Sequence, residues 1–216
     1  TGKVTGEKQG KIKKGKIKGK WKEYWESGIL KESYTIKRGD YHGEFLTFHE
    51  NGDLKTKGNF KKGKKQGEWL EYSENGDLMA KGSYKDDKEV EGNFLSYYED
   101  GELKNKSNHK DGKKDGEFLS YYENGQLAQK GNFKDGKQDG EWLSYGEDGQ
   151  LAFKGNFKDG KPEGEHLGYW GDDQIFNKTN YKDGKEDGEQ LWYSFDGKLV
   201  KTVIYKDGEL IKTITP

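Results

Sequence analysis

Four histidines, His42, His49, His109 and His166, are the side chains best suited to proton transfer or metal binding, and their spacing supports neither role. His109 and His166 stand where aligned segments hold Phe133 and Phe118, so they replace rings, and no second ligand recurs at a usable distance. The chain has no cysteine, which removes thiolate nucleophiles, thiolate metal sites and disulfides. Asp111-Gly-Lys-Lys-Asp115-Gly-Glu117 recurs as Asp135 to Glu141, Asp159 to Glu165 and Asp183 to Glu189, with the Asp and Gly of a calcium loop. It lacks that loop's alternating carboxylates and sets lysines beside the ones it has, which is the chemistry of tight turns. No Gly-Lys-Ser/Thr ending marks a phosphate loop. The expectation is a non-enzymatic chain with no catalytic residue, metal or cofactor.

Stacking and charge are the chemistry that remains. Trp21, Phe45, Trp69, Phe94, Phe118 and Trp142 recur at one position of a repeat, and the column loses its aromatic carbon ring at His166 and Gln190. Nearby runs an irregular column of Trp25, His49, Ser73, Tyr98, Tyr122, Gly146, Trp170 and Ser194. Variation inside a regular repeat is where specificity can reside. Candidate binding residues are therefore Trp25, His49, Trp69, Tyr98, Phe118, Tyr122, Trp142 and Trp170. The opposing reading is that these rings cover glycines and shield a sheet.

Residues 1 to 22 hold nine Lys and one Glu, a net of +8, which leaves −9 for the rest. Lys11, Lys13, Lys14, Lys16, Lys18 and Lys20 are candidates for binding anionic lipid or another polyanion, against the alternative of plain solvated strand positions. This segment has no arginine and no aromatic before Trp21, so nucleic acid is not expected.

What must position these residues is an array of copies. Gly116 to Asp139 matches Gly140 to Glu163 at 18 of 24 positions. Eight units follow from it: 19–42, 43–66, 67–91, 92–115, 116–139, 140–163, 164–187 and 188–211, with a partial Lys-rich unit over 1–18 and a tail over 212–216. A fixed period of this size marks a repeat architecture in which each unit contacts its neighbours. The chain starts on Thr1 in mid-repeat, which suggests a piece of a longer array. With no cysteine, export or a cell-surface location is expected ahead of the cytoplasm.

Each unit reads as two antiparallel strands, Glu117 to Glu123 and Gln126 to Phe133, joined at Asn124-Gly125 and followed by a turn at Lys134 to Lys137. The fold class is all-β, an elongated, twisted antiparallel meander of about 16 to 18 strands and about 75 to 85 Å. A type I turn with a glycine bulge puts Leu119, Tyr121, Leu127 and Phe133 on one sheltered face, with the Trp/Phe column opposite. The one extra residue, in the third unit, is expected in the turn Asp86 to Glu91. Val200, Val203, Ile204 and Ile211 are expected to form a C-terminal cap.

Gly-Glu before the ring and Tyr-x-Glu-Asn-Gly after it, in GEFLSYYENGQLAQKGNFKDG, resemble the bacterial variant form of the MORN repeat, from Gly19 to about Ile211. The late His-Gly-x-Gly of the other MORN form is missing. The resemblance implies a binding or assembly scaffold. Its classical members are linked to membrane lipids and dimerisation, and some variant members are described as antitoxin-like. The partners expected are a protein along the aromatic face or a sheet edge, a glycan stacked on Trp and Tyr, or a membrane surface, with homo-oligomers also open.

Overall fold

A computed structural model describes residues 2–4, 6, 8–89, 92–171 and 173–215 of the chain. The described residues form twenty-two strands and no helix. They divide into two compact units, residues 1–103 with 109–112 and residues 104–108 with 113–216. In the first, strands pair antiparallel in chain order from Gly2–Val4 through Lys8–Lys13, Lys16–Tyr24 and Leu30–Lys37 to Leu78–Lys85 and Gly92–Tyr97. In the second the same meander runs from Lys113–Tyr121 and Leu127–Lys134 to Leu199–Lys206 and Glu209–Ile214. The strand count exceeds the expected number partly because short pieces such as Asp40–Tyr41 and Lys137–Gln138 are set off from the strands that follow them.

Two turn types build each repeat. At the hairpin tip the Gly125 N–H donates to Tyr122 O (3.0 Å) and the Tyr122 N–H to Gln126 O (2.8 Å), with Gly125 at φ 79°. This is the expected type I turn with a glycine bulge. Between repeats, Asp135 (φ 51°) and Gly136 (φ 86°) form a two-residue turn of the primed kind, where both residues need a left-handed backbone. The acidic turns are thus hairpin turns. Their glycine N–H also reaches back a whole repeat, Gly136 to Lys114 O (2.8 Å) and Gly160 to Gln138 O (2.9 Å).

The register departs from expectation at one residue. Tyr121 pairs with Leu127 and Ser120 with Gln129, so Ala128 is bulged out. Leu119, Tyr121 and Leu127 share a face as expected, but the second bulge flips everything beyond it. Phe133 pairs with Gly116 and joins Phe118 on the other face. Leu95 pairs with Lys81 as Leu143 pairs with Lys130, so the third repeat regains register by Leu95. The expected site of its extra residue falls partly on Val90 and Glu91, which lie outside the described residues.

That flip decides which face is sheltered. The buried residues include Trp21, Trp69, Trp142, Tyr34, Ile36 and Val203, all on the ring face, whereas the Leu columns are half-buried in most repeats. The ring face is the core, the reverse of the expectation, because the displaced Phe133 column adds a second row of rings to the first. In the first unit successive ring centroids lie 5.0–6.4 Å apart from Tyr34 through Tyr41, Phe45, Phe60, Trp69 and Tyr84 to Phe94, and His109 lies 4.4 Å beyond. The second unit repeats this from Phe118 through Phe133, Trp142, Phe157 and His166 to Tyr181. Each such contact adds about 0.5–1.5 kcal/mol beyond area burial. The expected C-terminal cap is only partly formed: Val203 is 3% exposed, while Val200 and Ile211 are 46% and 61% exposed.

Candidate interaction surface

The rings pack where a side chain is missing. A Cβ on Gly131 would lie 2.4 Å from the Trp142 indole, and one on Gly58 would lie 2.2 Å from that of Trp69. Gly10 and Gly82 seat Trp21 and Phe94 in the same way. Each of these rings lies flat on the glycine of the preceding strand, which only a residue without a Cβ allows. Trp69 and Trp142, two of the expected binding residues, are consequently 6% and 5% exposed. Phe118 is half-buried, stacked 5.6 Å from Trp142 and edge-on to Phe133. His166 fills a ring position too, with Nε2 2.8 Å from Asn156 O. Among the described residues no group of three His, Cys, Asp or Glu side chains is placed to hold a metal ion.

The irregular column has a use that the sequence concealed. Trp25 Nε1 donates to Phe48 O (3.3 Å), His49 Nε2 lies 3.0 Å from Tyr72 O, and the Tyr122 hydroxyl donates to Tyr145 O (2.8 Å). Three unlike side chains each reach a carbonyl 23 residues on and staple one hairpin tip to the next. Asn51 and Asn124 do the same from the turns, donating to Glu74 O and Glu147 O. At the opposite turns, Asp115 and Glu163 accept the N–H groups of Asp135 and Asp183, 20 residues on. Tyr98 stands at the equivalent tip, where its N–H donates to Glu102 O (2.9 Å). The signal available in the sequence was an offset shared by chemically different residues.

Trp170 stands apart from its column, 56% exposed. The tip that carries it is rebuilt: Gln174 N–H donates to Gly171 O (2.9 Å), and Asp173 (φ 59°) takes the left-handed backbone that Gly125 supplies elsewhere. Trp170 packs 5.0 Å from Phe176, which lies 6.2 Å from Trp192. Phe176 in turn covers Gly168, whose Cβ would sit 2.7 Å from that ring. In the first six repeats the position of Gly168 and Trp192 is Glu23, Thr47, Glu71, Ser96, Ser120 or Ser144, and that of Phe176 is Lys, Met or Ala. At the next tip Phe195, 72% exposed, stands where six repeats have Glu. The seventh and eighth repeats thus set a cluster of three rings, Trp170, Phe176 and Trp192, and at the next tip Phe195, where most of the other repeats carry polar or small side chains at the last three of these positions, and Trp170 and Phe195 open to solvent. Sequence reasoning picked out Trp170 and passed over Phe176, Trp192 and Phe195, although column-by-column comparison of the repeats would have found them.

The lysines form a second distinct surface. Lys11 pairs with Lys18 and Lys13 with Lys16, while Gln9 pairs with Lys22, so these side chains share the face opposite Trp21. Lys20 joins them through its pairing with Thr35, between Trp21 and Gly19, and Lys14 sits in the turn at φ 51°.

The family model described as MORN repeat variant matches residues 17–37, 41–62, 65–86, 90–111, 114–135, 138–159 and 186–207, more than half of the chain. It passes over the seventh repeat, whose pairing from Gly164↔Tyr181 to Tyr169↔Ile175 nevertheless copies that of the fifth. No curated protein matches. Among solved structures, the chain is similar to those titled TcdB2-TccC3-Cdc42 (14% identity, TM-score 0.22) and TcdB2-TccC3-TEV (14%, TM-score 0.24). The alignments cover 89% and 92% of this chain and 13% of each of those chains.

Proposed function

The chain belongs to the MORN repeat variant family, a class of repeat modules involved in protein or lipid interaction, and from that premise we propose that it is a non-catalytic scaffold that docks a protein on the rings of its seventh and eighth repeats. The observation that carries this reading is the exposure of Trp170 and Phe195, 56% and 72%, at tips where the other repeats are polar or stapled. Trp170, left open beside Phe176 and Trp192, and Phe195 at the next tip have the make-up of interface anchors, which are enriched in Trp and other aromatics and fill apolar pockets on a partner. A protein suits the cluster better than a sugar, since the rings adjoining Trp170 are themselves apolar.

The test is affinity capture at high salt with the intact chain and with Trp170→Ala/Phe195→Ser, run beside a glycan array. The expected outcome is a protein retained by the parent and lost with the variant, whose thermal midpoint falls only slightly because both side chains are more than half exposed and Trp170 loses its packing on Phe176 alone. Retention that survives the double substitution, or ring-dependent signal on glycans alone, overturns the reading.

A further inference from the structure

We propose that the lysine face of the first hairpin, Lys8–Lys13 with Lys16–Tyr24, is a binding site for a linear polymer of phosphate groups. Four lysines of one strand, Lys16, Lys18, Lys20 and Lys22, are brought onto that face by their pairings, and Lys11 and Lys13 lie beside them on the neighbouring strand. All six are exposed. At about 3.3 Å per residue the row of four spans roughly 20 Å, with the second row about 4.8 Å away. Lys13↔Lys16 recurs in other repeats as Lys134↔Lys137 and Lys158↔Lys161, but Lys11↔Lys18 adds a second pair of like charges set directly opposite one another, which weakens a hairpin unless an anion lies between them.

Internal comparison shows that this is a departure from the repeat. The position of Lys20 is Glu44, Glu68, Glu117, Glu141, Glu165 and Glu189 in six other repeats, and that of Lys18 is Glu91, Asp115, Asp139, Glu163 and Asp187 in five. There the acids neutralise the face: Glu68 pairs with Lys81 (2.6 Å), Glu141 with Lys154 (2.7 Å) and Glu117 with Lys106 (3.1 Å). In the first hairpin, among the described residues, no carboxylate pairs with Lys11, Lys13, Lys16, Lys18, Lys20 or Lys22. The positive charge is left for a ligand.

The shape of the surface selects the class of anion. The bulge at Gly19 opens a depression of about 520 Å³ lined by Gln9, Lys11, Lys20 and Lys22, with Gly10 and Gly19 completing its lining. A chain can enter such a depression, whereas a flat membrane meets only its rim. The apolar side chains that would insert into a bilayer, Ile12 and Ile17, pair with each other on the opposite face. Trp21 is buried on that opposite face, and the ring on the lysine face, Tyr24, is half-buried with its hydroxyl donating to Gln9 Oε1 (3.4 Å), so among the described residues no open ring stands between the lysines to stack a base or a sugar. Lysine ammoniums act as point charges with no planar fork to read, which suits a repeating phosphate recognised by charge density.

Binding of inorganic polyphosphate is measured by calorimetry across a salt series. The samples are the intact chain, Lys16→Gln/Lys18→Gln/Lys20→Gln/Lys22→Gln, and a control with Lys134, Lys137, Lys158 and Lys161 changed to Gln. Vesicles of anionic phospholipid are titrated in parallel. The expected result is binding by the parent and the control, a loss of about tenfold or more in the first variant, and a slope of log affinity against log salt shallower by roughly 3. Equal losses in both variants, or binding to vesicles without binding to polyphosphate, overturn the proposal. Should the fourfold variant fail to fold, Lys18→Gln and Lys20→Gln singly must each still lower affinity and flatten the slope.

Discussion

The fifth and seventh hairpins share one register and fill its central position in different ways. In Lys113–Tyr121 with Leu127–Lys134, Phe118 faces Gly131, and the Trp142 indole lies down on that glycine. In Lys161–Tyr169 with Ile175–Lys182, His166 faces Thr179, and Gln190 takes the place of the tryptophan. Gln190 Nε2 donates to Thr179 Oγ1 (3.1 Å), and that hydroxyl donates to Asn177 Oδ1 (3.2 Å). A missing side chain filled by a ring has been exchanged for a hydroxyl satisfied by an amide. The register is indifferent to the exchange because turns and bulges set it, and both hairpins keep the same glycine positions, Gly116 and Gly164, at positive φ. This latitude explains how the seventh repeat drifts from its family pattern, acquiring Trp170 and Phe176, without losing its place in the sheet.

The two solutions differ most in what their removal costs. Trp142→Ala empties a 5%-exposed indole from its glycine and strips Phe118, Phe133 and Phe157 of a neighbour. The expected loss is about 3–5 kcal/mol in urea denaturation. Gln190→Ala, which removes one neutral hydrogen bond, should cost about 1 kcal/mol. Comparable losses from the two would mean that the ring ladder is not the core of this fold.

A second test moves one solution into the other repeat. Gly131→Thr drives a Cβ into the indole, and overpacking of this kind costs about 1–3 kcal/mol. Combining it with Trp142→Gln installs the Thr–Gln pair of the seventh repeat. The double variant should lose less than the sum of its single changes, with a coupling of about 0.5–3 kcal/mol in a double-mutant cycle. Additive losses would show that the exchange depends on surroundings peculiar to the seventh repeat.

Much of this frame could be read in the sequence, and the misreadings have definite physical origins. Gly125 and Asp135-Gly136 announce their turns because left-handed backbone demands those residues, and Leu127 follows onto the face of Leu119 from the first turn alone. Phe133 was misplaced because the second bulge sits at Ala128, a residue with no conformational signature. That one position inverted the choice of sheltered face, since parity propagates along the whole strand. The candidate surface was less legible. Trp25, His49 and Tyr122 resemble specificity residues by their variety, yet each spends its polar atom on the next repeat. Trp170 differs from them through Gly168 and Phe176, neighbours that a reading of one column at a time does not connect.

The first repeat offers a third way to fill the position of Gly131 and Thr179, and it gives the smallest expected effect. There Tyr34 stands in the seat, and its hydroxyl donates to Glu23 Oε1 (2.8 Å), while Lys8 Nζ lies 3.0 Å from the other carboxylate oxygen. Burial raises the Glu23 pKa, but the bonds from Tyr34 and Lys8 outweigh it and leave the carboxyl below its ordinary value of 4.5. Glu32, paired opposite Glu23, is shifted up by burial and by the Glu23 charge. A carboxyl with a depressed folded pKa contributes stability that is complete above its unfolded value and lost as pH falls through the folded one. Glu23 therefore adds an acid-sensitive increment below about pH 4.5, whereas the raised Glu32 favours the fold once protonated and works against it in the opposite direction. Tyr34→Phe removes the hydroxyl that holds Glu23 down and should cost about 1 kcal/mol at neutral pH. Denaturation midpoints of the parent should then fall more steeply than those of Tyr34→Phe as pH drops below about 4.5. Parallel curves would mean that Tyr34 serves the sheet through its ring alone, as the glycine-seated indoles do.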